Sequence, residues 1–169
     1  MKLYLIIALL TIVALTSAAQ EKEQKSKREL RAERKTLIAE KVDSIIGERD
    51  LTFKARSASP IGWSTIQLTS DYDLKINGDS ITVYLPYYGR AYRADYMSTE
   101  GGIKLNGLVE DYQLSRKNDQ YEIRFNAKSK TDLYRFHLSV SPSGYASLSV
   151  ISNNRQSIRF NGVLNELGI

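Results

Sequence analysis

Residues 110–162 read EDYQLSRKNDQYEIRFNAKSKTDLYRFHLSVSPSGYASLSVISNNRQSIRFNG, and the way this stretch folds back on itself decides the architecture. Apolar side chains fall on every second residue, the period of a strand with one buried face. A slip of one residue in any hairpin would carry the apolar set to the wrong face, so each turn can be tested by register. A two-residue turn at Asn118-Asp119 sets Leu114 opposite Ile123 and Tyr112 opposite Phe125. A turn at Ser129-Lys130 sets Phe125 against Tyr134, Ile123 against Phe136 and Tyr121 against Leu138. The next connection needs three residues, Pro142-Ser143-Gly144, with proline leading and glycine left-handed; Leu138 then faces Leu148 and Phe136 faces Val150. A two-residue turn there would face Leu138 with Ser147. A last three-residue turn, Ser152-Asn153-Asn154 with Asn154 left-handed, sets Leu148 opposite Ile158 and Ala146 opposite Phe160. Residues 110–162 therefore read as a five-strand antiparallel meander with one continuous apolar face.

Working upstream, Asn77-Gly78 is the strongest hairpin signal in the chain, and a turn there sets Leu74 opposite Ile81 and Tyr72 opposite Val83. Leu51, Phe53 and Ala55 alternate with polar residues in a first strand. Ser57 to Gly62 reads as a loop, Trp63 to Thr69 as a second strand with Ile66 and Leu68 on one face, and 103–106 as a short further one. The total is nine or ten strands. Local hairpins dominate and long crossovers are absent, which favours an up-and-down barrel over a sandwich. Before the first strand, Leu30, Leu37, Ile38, Val42, Ile45 and Ile46 recur at helical spacing, which predicts a helix from about Ser26 to Ile46. Gly47 is its natural stop. Its first turns are expected in solvent and its last three docked on the barrel; a membrane-surface or partner-binding helix is the other reading of that stripe.

The chain starts with Lys2, an apolar run from Leu3 to Leu15 and the small-residue exit Thr16-Ser17-Ala18-Ala19. This is the pattern of a cleavable signal peptide ending at Ala19, and the run is too short to span a bilayer. The expected organisation is a leader over 1–19, a charged then amphipathic helical segment over 20–47 and a β-barrel domain over 48–169, with no transmembrane segment after cleavage. The expected localisation is exported, periplasmic or secreted, and without a lipid anchor because no cysteine follows the leader. The chain has no cysteine at all, so disulfides and thiolate metal sites are excluded. Net charge is +5, but residues 21–58 carry 11 Lys/Arg against 8 Asp/Glu, while residues 59–169 carry 12 against 11. A body this close to neutral does not present the clustered cations of a nucleic-acid groove.

By the same register Tyr112, Tyr121 and Tyr134 point inward with Leu114, Ile123 and Phe136, and Gln156 joins them opposite Val150. Buried tyrosine hydroxyls need partners, so either the barrel holds a cavity with polar tips or the hydroxyls reach solvent at its ends. The lone histidine, His137, falls on the outer face with Arg135 and Ser139 and reads as a solvated strand residue. No catalytic residue, metal site or cofactor is called; a carboxylate pair drawn from distant strands leaves enzymatic activity undecided. The stretch Tyr84 to Tyr96 holds five of the eleven tyrosines and two arginines. It is either a recognition loop or a tyrosine plug over one barrel end. The candidate ligand site at that mouth comprises Tyr87, Arg90, Tyr92 and Tyr96 with Asn153, Arg155 and Gln156.

Tyr84-Leu-Pro-Tyr-Tyr-Gly-Arg-Ala-Tyr92, Gly101-Gly-Ile103 and Ser152-Asn-Asn-Arg-Gln-Ser-Ile158 resemble the signature stretches of the domain-of-unknown-function family 4251, a family of exported Bacteroidetes proteins. Leu68-Thr-Ser70 and Asn77-Gly-Asp79 are similar as well, so the resemblance covers nearly the whole mature chain. Tyr88 departs from the phenylalanine expected at its position. The resemblance implies a lipocalin-like barrel and no activity. Two readings of function remain: a module that takes a small or peptidic ligand at the barrel mouth, or a structural or protein-interaction component of the envelope with a protein partner.

Overall fold

The computed structural model describes residues 26–92 and 102–165; the leader, Tyr96 and the rest of 93–101 lie outside the described residues. The chain divides into two compact units after Leu37. Residues 26–48 are helical (α1). In the first unit Leu30 and Leu37 stand exposed at 62% and 53%. In the second unit Val42 and Ile46, one turn apart on one face, are fully buried in the core, with Ile38 and Ile45 packed beside them. The helix does not stop at Gly47. It runs through 48, and Arg49 takes the left-handed position (φ 53°) with its N–H donating to the Ile46 carbonyl.

The second unit is a nine-strand antiparallel meander: β1 Asp50–Pro60, β2 Ile66–Asn77, β3 Ser80–Leu85, β4 Ile103–Leu108, β5 Glu110–Lys117, β6 Gln120–Lys128, β7 Leu133–Val140, β8 Tyr145–Ser152 and β9 Ile158–Leu164. The sheet order is β4-β3-β2-β1-β9-β8-β7-β6-β5. One residue, Val109, separates β4, which pairs with β3, from β5, which pairs with β6, and the Val109 N–H donates to the Asp79 carbonyl. This nearly continuous run brings the sheet's two edges together and nearly closes it into a barrel. Inward positions are apolar and outward ones carry Lys75, Arg124, Arg135 and Arg159, the reverse of a barrel that faces lipid. No described helix is long and apolar enough to cross a membrane.

Two hairpins close as the residues require. Asn118 and Asp119 both take positive φ (50° and 61°), and Leu114 faces Ile123. Gly144 takes φ 82°, and Leu138 faces Leu148. The other three keep the expected faces but slide by two residues. At the first, Gly78 takes the leading turn position (φ 58°) instead of the second, so Ile76 meets Ile81 and Leu74 meets Val83. At the second, the loop is four residues long because the Ser129 N–H and hydroxyl bond Asp132; Phe125 meets Phe136, Ile123 meets Leu138 and Tyr121 meets Val140. At the third, Asn154 is not left-handed. The Ser152 hydroxyl instead accepts from the N–H groups of Asn154 and Arg155, lengthening the loop, so Val150 meets Ile158 and Leu148 meets Phe160. Gln156 is therefore not opposite Val150.

Two further expectations are corrected. Ser57 to Pro60 is not a loop but the end of β1, which passes a bulge between Ala55 and Ser57. The bulge shifts the burial parity, so Ala58 and Pro60 now face inward and the alternation reads as broken. The segments near 66 and 72 are one strand, β2, so the count expected as nine or ten is nine. Leu114, although correctly paired, is 46% exposed because β5 is an edge.

Aromatic rings stack in the interior. Phe125 stacks on Phe136 at 5.0 Å between centroids, flanked by Tyr112 at 6.4 Å from Phe125 and Tyr134 at 6.1 Å from Phe136. Tyr121 reaches out of the core, donating its hydroxyl to Asp43 of α1 at 2.6 Å. The Tyr112 hydroxyl is buried with no hydrogen-bond partner, under the Arg49 guanidinium 4.3 Å from the ring centroid. Removing an unpaired buried hydroxyl forfeits no bond. Tyr112→Phe is therefore expected to leave stability unchanged or raise it by up to about 1 kcal/mol, read as the urea midpoint; a loss above that size contradicts the assignment.

Candidate functional site

In an antiparallel barrel alternate connections share an end. The β1–β2, β3–β4, β6–β7 and β8–β9 connections form one mouth, and four of the seven candidate residues meet there. Residues 90–92 run antiparallel to 154–156: the Gln156 N–H donates to the Arg90 carbonyl at 2.9 Å and the Tyr92 N–H to the Asn154 carbonyl at 2.8 Å, with Ala91 bridging Arg155. The Tyr87 hydroxyl stands 2.8 Å from the Arg90 carbonyl oxygen and 2.9 Å from that of Gln156, its proton shared between two acceptors. The Arg155 guanidinium lies 5.2 Å from the centroid of the Tyr87 ring and donates to the Gly102 carbonyl at 3.0 Å. Tyr87, Arg90, Arg155 and Gln156 are thus tied mainly to one another and to backbone, as a clasp across the mouth.

The remaining candidates fare differently. Tyr92 enters the clasp by its backbone only, its ring 69% exposed. Asn153 turns away, accepting from Arg135 at 3.1 Å and donating its N–H to Asp132 at 3.2 Å. Tyr96 lies outside the described residues.

Beside the clasp is an open cleft of about 410 Å³. Tyr72, Tyr84, Tyr87 and Tyr88 wall it, and Lys104 closes one side. It exists because β2 outruns β3: Asp73 pairs Tyr84, so residues 66–71 of β2 extend past Leu85, the end of β3. The Tyr72 and Tyr84 rings meet at 5.4 Å and the Lys104 ammonium sits 5.2 Å over Tyr84. Sequence reasoning named only Tyr87 of this cleft as a site residue. Tyr72 and Lys104 gave no signal of their own, because their meeting depends on a register that the apolar pattern leaves open by two residues.

A family model described as "Domain of unknown function (DUF4251)" matches residues 33–164. The chain belongs to the DUF4251 family. The fold is similar to that in the crystal structure, at 1.95 Å resolution, of a DUF4251 family protein from Bacteroides eggerthii DSM 20697, with a TM-score of 0.60 at 16% identity, covering 76% of this chain and 87% of that one. No curated protein matches the chain. Within this DUF4251 domain, the three stretches that carry the resemblance in sequence meet in space: Tyr87 with Gln156, and Arg155 with Gly102. The motif residues are, first of all, the parts of the clasp.

A second hollow, of about 320 Å³, lies on the outer face among Arg124, Arg135, His137 and Ile151. His137 is on the outer face as expected but is not merely solvated: its Nε2 contacts the Glu122 carboxylate from the neighbouring strand. The Ser139 hydroxyl donates to the same carboxylate at 3.0 Å. Serine and histidine each bind the acid and not one another, so no nucleophile–base pair is formed. Among the described residues no three His, Asp or Glu side chains are grouped to hold a metal ion.

Three tyrosine hydroxyls are held above their usual value of 10.0: Tyr87 and Tyr112 chiefly by burial, Tyr121 chiefly by the bond it donates to Asp43. Lys128 is raised from 10.5 chiefly by its bond to Glu110. All four shifts favour the protonated form in the folded state. Their contribution to stability is complete below about pH 10 and is lost as pH climbs through the raised values. The thermal midpoint is expected to fall on going above about pH 10, and part of the tyrosinate absorbance should appear at higher pH in the folded chain than in the denatured one. A folded titration that overlays the denatured one would contradict these assignments.

Proposed function

We propose that this chain is an exported binding module whose site is the tyrosine-walled cleft at the barrel mouth, taking a small or peptidic ligand with a flat or extended apolar face and an anionic group. The observation that supports it is the contrast between rings stacked on one another in the core and an open cleft where four tyrosines converge beside a cation. Tyr84 and Tyr88 are 45% and 38% exposed. Rings left open in this way stack on ligand at low entropic cost, and Lys104 would pair the anionic group. The clasp would hold the wall formed by Tyr87 in place.

The probe is 1-anilinonaphthalene-8-sulfonate, an aromatic anion. Saturable binding to the full chain is expected, weakened about fivefold to tenfold by Tyr84→Ala and again by Tyr88→Ala. Binding indifferent to both substitutions rejects the cleft.

The second reading, a protein-interaction component of the envelope, is favoured by the exposed Leu30 and Leu37 on the helical stripe. It requires that Leu30→Glu with Leu37→Glu abolish in-cell cross-links from a photoreactive group at position 34 while leaving dye binding intact.

A further inference from the structure

All four phenylalanines, Phe53, Phe125, Phe136 and Phe160, are buried to within 2% of full burial, whereas the chain's single tryptophan, Trp63, is 67% exposed. It sits at the tip of the β1–β2 hairpin beside Ile61, itself 56% exposed. Gly62 makes the turn at φ 77°, and the Trp63 N–H donates to the Pro60 carbonyl at 3.4 Å. Turn geometry demands nothing apolar here, since such tips are ordinarily polar. The other end of the barrel follows that rule with Gly78-Asp79, Asn118-Asp119 and Pro142-Ser143-Gly144.

More apolar surface gathers at the same mouth. Pro60 pairs Ile158 at the start of β9, and the loop before Ile158 is laced to residues 90–92, so the hairpin tip and Tyr92 belong to the same mouth. Two cations share this end, Arg90 and, on the β6–β7 loop, Lys130. Among the described residues neither side chain has an acidic partner. The acid nearest in sequence to Lys130, Asp132, is occupied by the Ser152 hydroxyl and the backbone N–H groups of Leu133 and Asn153. Exposed tryptophan and tyrosine beside cations that have no acidic partner among the described residues is the chemistry of the headgroup layer, where an amphipathic ring keeps one edge wet and cations meet lipid phosphates.

We propose that this mouth docks on an anionic lipid surface, with Ile61 and Trp63 entering the boundary between headgroups and acyl chains and Arg90 and Lys130 contacting the phosphates. The docking residues are separate from the four tyrosines and Lys104 that line the ligand cleft, so dye binding can fail while docking holds, and the reverse.

Trp63 is its own reporter, because no other indole contributes to the emission. The full chain is titrated with phosphatidylcholine vesicles, with and without phosphatidylglycerol, and with brominated acyl chains as quencher. The expected result is a blue shift and quenching of Trp63 that saturate on the anionic vesicles and are much weaker on neutral ones. Ile61→Asp should reduce partitioning about tenfold or more, and Arg90→Glu and Lys130→Glu about fivefold each. The exposure of Ile61 lets its variant keep the parent thermal midpoint. All chains carry the same residues 1–19, so any anchoring by that segment is common to them. Three outcomes overturn the proposal: Trp63 unshifted at saturating lipid, sedimentation with vesicles while Trp63 stays unquenched, or Ile61→Asp binding as tightly as the parent.

Discussion

Gly162→Ala is expected to destabilise the barrel by about 3 kcal/mol, lowering the thermal midpoint on the order of 10 °C. The cause lies in the neighbouring strand. β1 bulges between Ala55 and Ser57, and the extra residue drives the Lys54 carbonyl across the Cα of Gly162 on β9. A methyl group there would overlap the Lys54 carbonyl oxygen and stand 2.9 Å from its carbon and 3.1 Å from the Ala55 Cα. These are backbone atoms flanked by ladder bonds to β2 and β9, so the clash cannot be relieved by turning a side chain. The matched control is the same substitution at Gly47, inside α1 with nothing within 4 Å of the added carbon. Gly47→Ala should stabilise by about 0.5–1 kcal/mol, the helix propensity difference. Equal and small effects at the two positions would mean that β1 and β9 do not approach as described.

The same bulge shows where the sequence could be read and where it could not. Period two identifies faces: Ile123, Phe125, Tyr134, Phe136, Leu138, Leu148, Val150, Ile158 and Phe160 all lie on the expected wall, whereas Gln156 falls in the loop before β9. Faces do not distinguish registers that differ by two residues. Turn chemistry must choose, and it did so only where the residues admit one solution, as at Asn118-Asp119 and Gly144. Gly78 suits either of two turn types, and hydroxyl bonds from Ser129 and Ser152 lengthen loops in ways that periodicity cannot register. The bulge near Arg56 inverts parity within a single strand, so Ser57 to Pro60 looks like loop until the partner strands are placed. The mouth was legible in part: Tyr87, Arg90, Arg155 and Gln156 do meet, although they mostly hold one another. Tyr72, Lys104 and Trp63 become prominent only once β2 is seen to extend past β3.

Phe125→Ala should have the other large effect, a loss of about 3–5 kcal/mol, because Phe125 is one of the two inner rings of the stack in the interior. Tyr84→Ala, which removes an exposed ring, should cost under about 1 kcal/mol, so the two substitutions separate support of the fold from ligand chemistry. The Phe125 variant also decides where binding occurs. A hole flanked by the rings of Tyr112 and Phe136 is mainly apolar and should stay dry, so the folded variant should acquire a benzene or xenon site that the parent lacks. Dye bound at the mouth should keep its affinity in that variant. Should the parent chain already take up benzene in its interior, or should dye affinity fall with loss of Phe125 and not with loss of Tyr84, the ligand belongs inside the barrel and the cleft reading fails.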